Sequence, residues 1–157
     1  MGKNPYVDSL RSMQKFFNKT IEVLDENDSS FRATDDTRTV AEQIAHTAQT
    51  IDWFFEFGFL NKGLETDFEK MEKAVQDIKS FVKAKEWFDR SVDSFCKHLE
   101  TLSEEDVMEL LPDNDFFGRV PKILMLHSAV EHTAHHRGSL AVYVRLIGKT
   151  PLMPYME

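Results

Sequence analysis

The chain has 157 residues and an acidic balance, with 19 Lys and Arg against 27 Asp and Glu and a net charge of −8. This length suits one domain, residues 1–157, whose core needs neither disulfides nor a structural metal. The scattered basic residues exclude nucleic acid as a partner, the single cysteine excludes a disulfide framework, and no apolar run reaches the roughly 18 residues of a membrane span.

The first predicted helix begins at Pro5, because Asn4 can cap its N terminus and proline fits the first helical position. Apolar residues then recur every three or four positions as far as Leu24, and we expect the helix to end near Asn27. Residues 28–38 are rich in Ser, Thr and Asp, which favour turns. They are predicted to form a connection.

A capping box marks the start of the second predicted helix. Thr39 and Glu42 have the spacing at which the two side chains and backbones bond reciprocally. The segment AEQIAHTAQTIDWFFEFGFL then continues to about Leu60, where Asn61 and Gly63 are stop signals.

The third predicted helical segment runs from about Asp67 to Leu102. It is too long for one ordinary helix, so we expect a break near residues 77–80. Ser103 and Asp106 can open a short helical turn, and the following LLPDNDFFGRVP is predicted to be an irregular loop with a little strand.

The fourth predicted helix begins near Pro121 and covers KILMLHSAVEHTAHHRGSLAVYVRLIGK before Gly148 and Pro151 end it. Four long helices in a chain of this size predict an all-α four-helix bundle. The long connection between the third and fourth helices leaves room for a crossover topology.

Three details of the last segment carry further expectations. Arg137 is expected to pair with a carboxylate on a neighbouring helix, and Gly138 to allow the close approach of a neighbouring backbone. The C-terminal tail TPLMPYME is expected to pack across the end of the bundle or to contribute to a dimer contact.

The histidines of the last helix are the most informative feature of the sequence. A helix advances about 100° per residue, so His132 and His136 lie one above the other on one face, where they can hold one ion together. His135 lies about 60° from His132 and could replace or join the pair, whereas His127 points elsewhere.

Two histidines do not complete a site, because a divalent ion bound by imidazoles usually has at least three protein ligands. His46 is the candidate for the third, since it lies on a second apolar stripe of its helix with Trp53 and Phe57. Glu42, one turn earlier on the same face, could be a fourth ligand or could orient His46 through a hydrogen bond.

Each residue also has a simpler interpretation. An HxxxH pair arises by chance in many helices. His98 lies on a charged helix and is interpreted as a solvated surface residue, and Cys96 as a small buried hydrophobic residue. The second aromatic stripe must be covered by something, which would also suit a dimerisation scaffold without a metal.

Two segments together suggest a family. EHTAHHRGSLAVYVRLIGKTPLMPYM resembles the HxxxHRGQ-containing last helix of the DinB/YfiT-like proteins, and AEQIAHTAQTIDWFF resembles their second helix, which carries a single histidine. The resemblance implies a four-helix bundle with a crossover, commonly a homodimer, and a divalent metal held by His46, His132 and His136. Ser139 departs from the pattern, which often has glutamine there.

The resemblance leaves the reaction open. It is compatible with a metal-dependent transferase that acts on a small thiol, with a hydrolase, and with a non-catalytic metal-binding or dimeric scaffold protein of the stress response. Zinc or nickel is expected first, with iron, cobalt, manganese or copper as alternatives. The N-terminal segment lacks the apolar core of a signal peptide, so a cytoplasmic location is expected.

Overall fold

The computed structural model describes residues 4–155. Within this range the chain forms α1 (Pro5–Ile21), α2 (Val40–Phe59), α3 (Phe68–Gln76), α4 (Phe81–Leu99), α5 (Glu104–Met108) and α6 (Ile123–Leu146). The little strand expected between the last two helices reduces to one isolated bridge, Leu110 to Pro121. The all-α prediction is confirmed, and none of these helices is long and apolar enough to cross a bilayer.

Side-chain caps set the starts of the helices. The Asn4 side chain accepts two backbone N–H bonds from the first turn of α1, and Thr39 and Glu42 form the predicted capping box of α2. Asp67 caps α3 and Ser80 caps α4. The expected break in the third segment is therefore present, because each side of it has its own cap.

α1 ends earlier than predicted, at Ile21 rather than near Asn27. The cause lies in residues 25–28, where Asp25 and Asp28 form a second capping box around a single 3₁₀ turn. These side-chain bonds offer the backbone an alternative to helix, so the apolar periodicity up to Leu24 does not extend α1.

The four long helices α1, α2, α4 and α6 form the predicted bundle. α2 packs against α4 and α6, and α1 packs against the same two helices. Stacked rings join these layers, with Phe17 on Phe88 between α1 and α4 and Phe55 on Phe95 between α2 and α4. The crossover of the connections stays a prediction, as does the single domain, and the placement of both α1 and α2 beside α4 and α6 supports the crossover.

α2 and α6 run antiparallel, as their contacts show: residues later in α2 contact residues earlier in α6. Gly58 faces Met125, Gln43 faces His136, and residue 38 just before α2 meets Tyr143. A Cβ on Gly58 would lie 2.7 Å from Cγ of Met125, so this glycine permits the close approach of α6.

The second aromatic stripe of α2 is covered by the chain itself. Phe117, from the loop before α6, stacks on Phe57 and lies 5.8 Å from the ring of Trp53, whose Nε1–H donates to the carbonyl of Glu65. Within one chain these contacts leave Trp53 and Phe57 half-buried.

Two expectations for α6 are wrong. Arg137 pairs with aromatic groups rather than a carboxylate: it donates to the hydroxyl of Tyr155 and lies over the rings of Tyr155 and Phe16. Gly138 is exposed, and a Cβ there would meet no atom of residues 4–155 within 4 Å apart from its chain neighbours and the backbone of its own helix. The tail instead folds back along α1 and α6, where the Tyr155 ring packs edge-on against Phe16.

The two helical glycines predict opposite effects of the same substitution. Gly58→Ala should destabilise the fold by roughly 1–3 kcal/mol, because Cβ and Cγ of Met125 cannot move away as a chain end could. Gly138→Ala should stabilise it by roughly 0.5–1 kcal/mol, since the space is open and alanine favours helix. Urea unfolding of both variants measures this. Equal effects would contradict the close packing of α2 on α6.

Two carboxylates on the helical interfaces have pKa values shifted in opposite directions. Burial raises the pKa of Asp52, although Trp87 Nε1–H donates to this carboxylate at 2.7 Å. Burial also acts on Asp89, but hydrogen bonds from Asn18, Lys85 and Gln14 outweigh it and lower the pKa of Asp89.

These shifts predict opposite pH dependence for two matched variants. As pH rises from about 4, unfolded Asp52 ionises before folded Asp52, so Asp52→Asn should gain stability relative to the wild type. Folded Asp89 ionises at a lower pH than unfolded Asp89, so Asp89→Asn should lose stability relative to the wild type as pH rises towards about 4. Denaturant unfolding below and above about pH 4 checks both signs. Parallel curves for the two variants would contradict the assigned environments.

Candidate metal centre

Three histidines from two helices meet on the inner side of the bundle. His46 lies on α2, and His132 and His136 lie one turn apart on α6. The antiparallel packing of these helices brings the middle of α2 beside this part of α6. The residues that the sequence singles out separately are therefore neighbours in the fold.

The three rings face one another closely. Their centroids lie 5.1 Å apart for His46 and His132, 4.8 Å for His46 and His136, and 4.3 Å for His132 and His136. Nε2 of His136 lies 3.0 Å from Nε2 of His132. One ring nitrogen from each histidine falls within 4.8 Å of the other two. The nitrogens converge on one point between the helices.

Burial keeps these imidazoles neutral at physiological pH. It lowers the pKa of His46 and that of His132 to about 4, and the pKa of His136 to about 3. The charge of Arg38 lowers all three pKa values further. Neutral imidazoles keep a lone pair on the unprotonated nitrogen, which is the form that binds a metal ion.

The donor set fits a divalent transition metal. A tetrahedral ion with bonds to nitrogen of about 2.0–2.1 Å separates its ligand atoms by about 3.3 Å. The Nε2 atoms of His132 and His136 lie 3.0 Å apart, close to this value, and one nitrogen of His46 lies within 4.8 Å of the other two histidines. Nδ1 of His132 is in addition buried without a hydrogen-bond partner among the described residues. Neutral nitrogen donors and an unpaired ring nitrogen are both compatible with divalent metal binding.

Gln43 is the polar neighbour of this cluster that the sequence analysis missed. Its side-chain amide lies 2.6 Å from Nδ1 of His136 and is almost fully buried. Gln43 precedes His46 by three residues on α2, so the two share a face of that helix. This spacing is the signal that could have indicated it, although spacing alone does not show that α6 lies opposite.

Glu42 was expected to be a fourth ligand or to orient His46, and the structure gives it neither role. Its carboxylate accepts from the backbone N–H of Thr39 and pairs with Lys79 at 2.7 Å, with Arg32 at 3.8 Å. Burial opposes ionisation, but the bonds from Lys79 and Thr39 hold the pKa of Glu42 below its ordinary value. Glu42 caps α2 and does not join the three-histidine cluster.

The remaining histidines lie outside the cluster. His135 is exposed although its ring is 4.9 Å from that of His136, and His127, which was expected to point elsewhere, is exposed. His98 is half-buried between the rings of Phe55 and Phe59, so its interpretation as a solvated residue is wrong. The hydroxyl of Ser139 is directed at the carbonyl of His135, one turn earlier in its own helix.

Cys96 is buried as expected. Burial raises the pKa of its thiol to about 11, which leaves the sulfur protonated at physiological pH. The thiol therefore lacks the thiolate character of a nucleophile or ligand.

Comparisons with known proteins agree over the whole chain. The model of the DinB family matches residues 1–157. The uncharacterized protein YjoA of Bacillus subtilis strain 168 is 28% identical over 156 residues, which are 98% of this chain and 96% of YjoA.

Two crystal structures show the same fold. That of the DinB-like protein YjoA from Bacillus subtilis has a TM-score of 0.72 at 22% identity, covering 98% of this chain and 99% of that one. A DinB-like protein from Bacillus cereus ATCC 10987 has a TM-score of 0.75 at 20% identity, covering 94% of each chain.

Proposed function

The chain belongs to the DinB family, and from this membership and the histidine geometry we propose that it binds one divalent metal ion through His46, His132 and His136. The observation that carries the proposal is the convergence of three uncharged imidazoles from two helices. Zinc or nickel is proposed first, because both accept three nitrogen ligands, and iron, cobalt, manganese and copper are the alternatives.

We propose further that the protein is a metal-dependent enzyme, either a small-thiol transferase or a hydrolase. A divalent ion with three imidazole ligands keeps a coordination position for a water or a thiol and lowers its pKa. The chain's own contribution is to hold three neutral nitrogens in place.

A homodimer and a cytoplasmic location belong to the same proposal. The non-catalytic scaffold is the second candidate, and one observation weakens its original support: Phe117 of the same chain already covers part of the aromatic stripe of α2. The buried, convergent imidazoles support a metal-binding role instead, since neutral polar groups are costly to bury without a partner.

Metal content tests the proposed site directly. Untagged protein should hold about one divalent ion per chain by elemental mass spectrometry, and the ion should raise the melting temperature because it binds only the folded state. His46→Ala, His132→Ala and His136→Ala should each lose most of the ion, since a site with two imidazoles binds weakly.

Three matched variants keep this test specific. His127→Ala and His135→Ala remove histidines of α6 outside the cluster, and Glu42→Gln retains the capping box while it removes the charge. All three should retain the ion at the wild-type stoichiometry. Wild-type protein that stays metal-free after reconstitution, or equal loss in the control variants, would contradict the proposed ligand set.

A further inference from the structure

We propose that Gln43 is a positioning residue of this centre: its side-chain carbonyl accepts a hydrogen bond from Nδ1–H of His136 and so holds His136 in the tautomer that leaves Nε2 free for the ion. The role of Gln43 toward the ion rests on the proposed function. The tautomer itself is a property of the metal-free chain and can be measured without any metal.

The contact between Gln43 and His136 joins two helices through a buried hydrogen bond. Gln43 is 6% exposed and His136 is 7% exposed, and the amide nitrogen Nε2 of Gln43 is placed 2.6 Å from Nδ1 of His136. The opposite ring nitrogen, Nε2, faces His132 within the cluster. Both nitrogens of His136 therefore have a polar neighbour, and the position of one proton decides what each can do.

Two proton arrangements fit the heavy atoms, because the oxygen and nitrogen of a glutamine amide have nearly the same shape. In one, the amide NH₂ donates to Nδ1, so the neutral His136 carries its proton on Nε2 and points that proton into the cluster. In the other, the amide oxygen accepts from Nδ1–H, and Nε2 keeps its lone pair.

His132 discriminates between these arrangements. If Nε2–H of His136 donated to Nε2 of His132, the proton of neutral His132 would lie on Nδ1, which is buried without a partner among the described residues. A buried N–H without an acceptor is rarer and more costly than an unpaired acceptor.

In the alternative, the ring N–H groups of His132 and His136 both have an acceptor. Nε2–H of His132 donates to Nε2 of His136, Nδ1–H of His136 donates to Gln43, and the unpartnered Nδ1 of His132 is an acceptor. Gln43 must then present its oxygen, which exchanges the amide oxygen and nitrogen relative to the placement of Nε2 beside Nδ1. His136 is consequently the ligand that can offer Nε2 to an ion without any proton rearrangement.

An amide suits this position better than a carboxylate would. Gln43 is almost completely buried, and an ionised side chain there would lose its hydration. A neutral acceptor fixes the ring orientation and the tautomer without adding charge beside the ion. Partners of this kind, one contact removed from the metal, change metal affinity about 10- to 100-fold when they are removed.

The tautomer is measured first, by two-bond ¹H–¹⁵N NMR correlations of the histidine rings in metal-free wild-type protein. His136 is expected to show a protonated Nδ1 and an unprotonated Nε2. A protonated Nε2 with an unprotonated Nδ1 would overturn the proposal, and this result does not depend on whether the protein binds a metal.

Metal affinity is measured next on three variants, by competition with a chromophoric zinc chelator. Gln43→Met keeps the size of the side chain but removes the acceptor, and should weaken zinc binding about 10- to 100-fold. Gln43→Glu keeps an acceptor oxygen and should remain within about tenfold of the wild type.

Thr47→Val is the matched control. Thr47 is fully buried on the same helix, and its hydroxyl donates to the backbone carbonyl of Gln43 rather than to the cluster. It should bind zinc as the wild type does. Wild-type affinity in Gln43→Met, or the same loss in Thr47→Val, would overturn the positioning role. Wild-type protein that binds no zinc would instead refute the proposed function and the role of Gln43 toward the ion, while the tautomer result stands.

Discussion

The packing of α2 against α6 is the contact on which the rest of this structure depends. Gly58 lets the two helices approach at Met125, and further along the same antiparallel pair His46 meets His132 and His136. A wider separation would leave two histidines on one helix and a third out of reach. Gly58 at one end of the interface and the three histidines in its middle thus both depend on the same close packing of α2 on α6.

The polar groups inside this interface are matched to one another rather than exposed to water. The Glu42 carboxylate forms an ion pair with Lys79 and accepts a hydrogen bond from the backbone N–H of Thr39, so its charge is compensated at the start of α2. The histidines beyond it are neutral, and His136 takes Gln43 as its uncharged neighbour. This division separates the charged surface of the bundle from a centre that offers lone pairs, which is the environment a divalent ion requires.

Local features of the sequence predicted most of the fold, because caps and apolar spacing act within one helix. Thr39 and Glu42 marked the start of α2, and the four-residue spacing of His132 and His136 placed both on one face. Caps and apolar spacing could not predict the contacts between different helices and loops. Gln43, the cover that Phe117 gives to Trp53, and the aromatic partners of Arg137 all depend on which segment lies opposite. Spacing along one helix carries no information about that.

X-ray absorption spectroscopy of the zinc-loaded protein tests the central claim most directly, because it counts the imidazoles around the ion. The account predicts three nitrogen ligands at about 2.0–2.1 Å with the multiple scattering of imidazole rings, one or two further light atoms, and no sulfur. An ion with one imidazole or none, or with a sulfur neighbour from Cys96, would contradict the three-histidine centre.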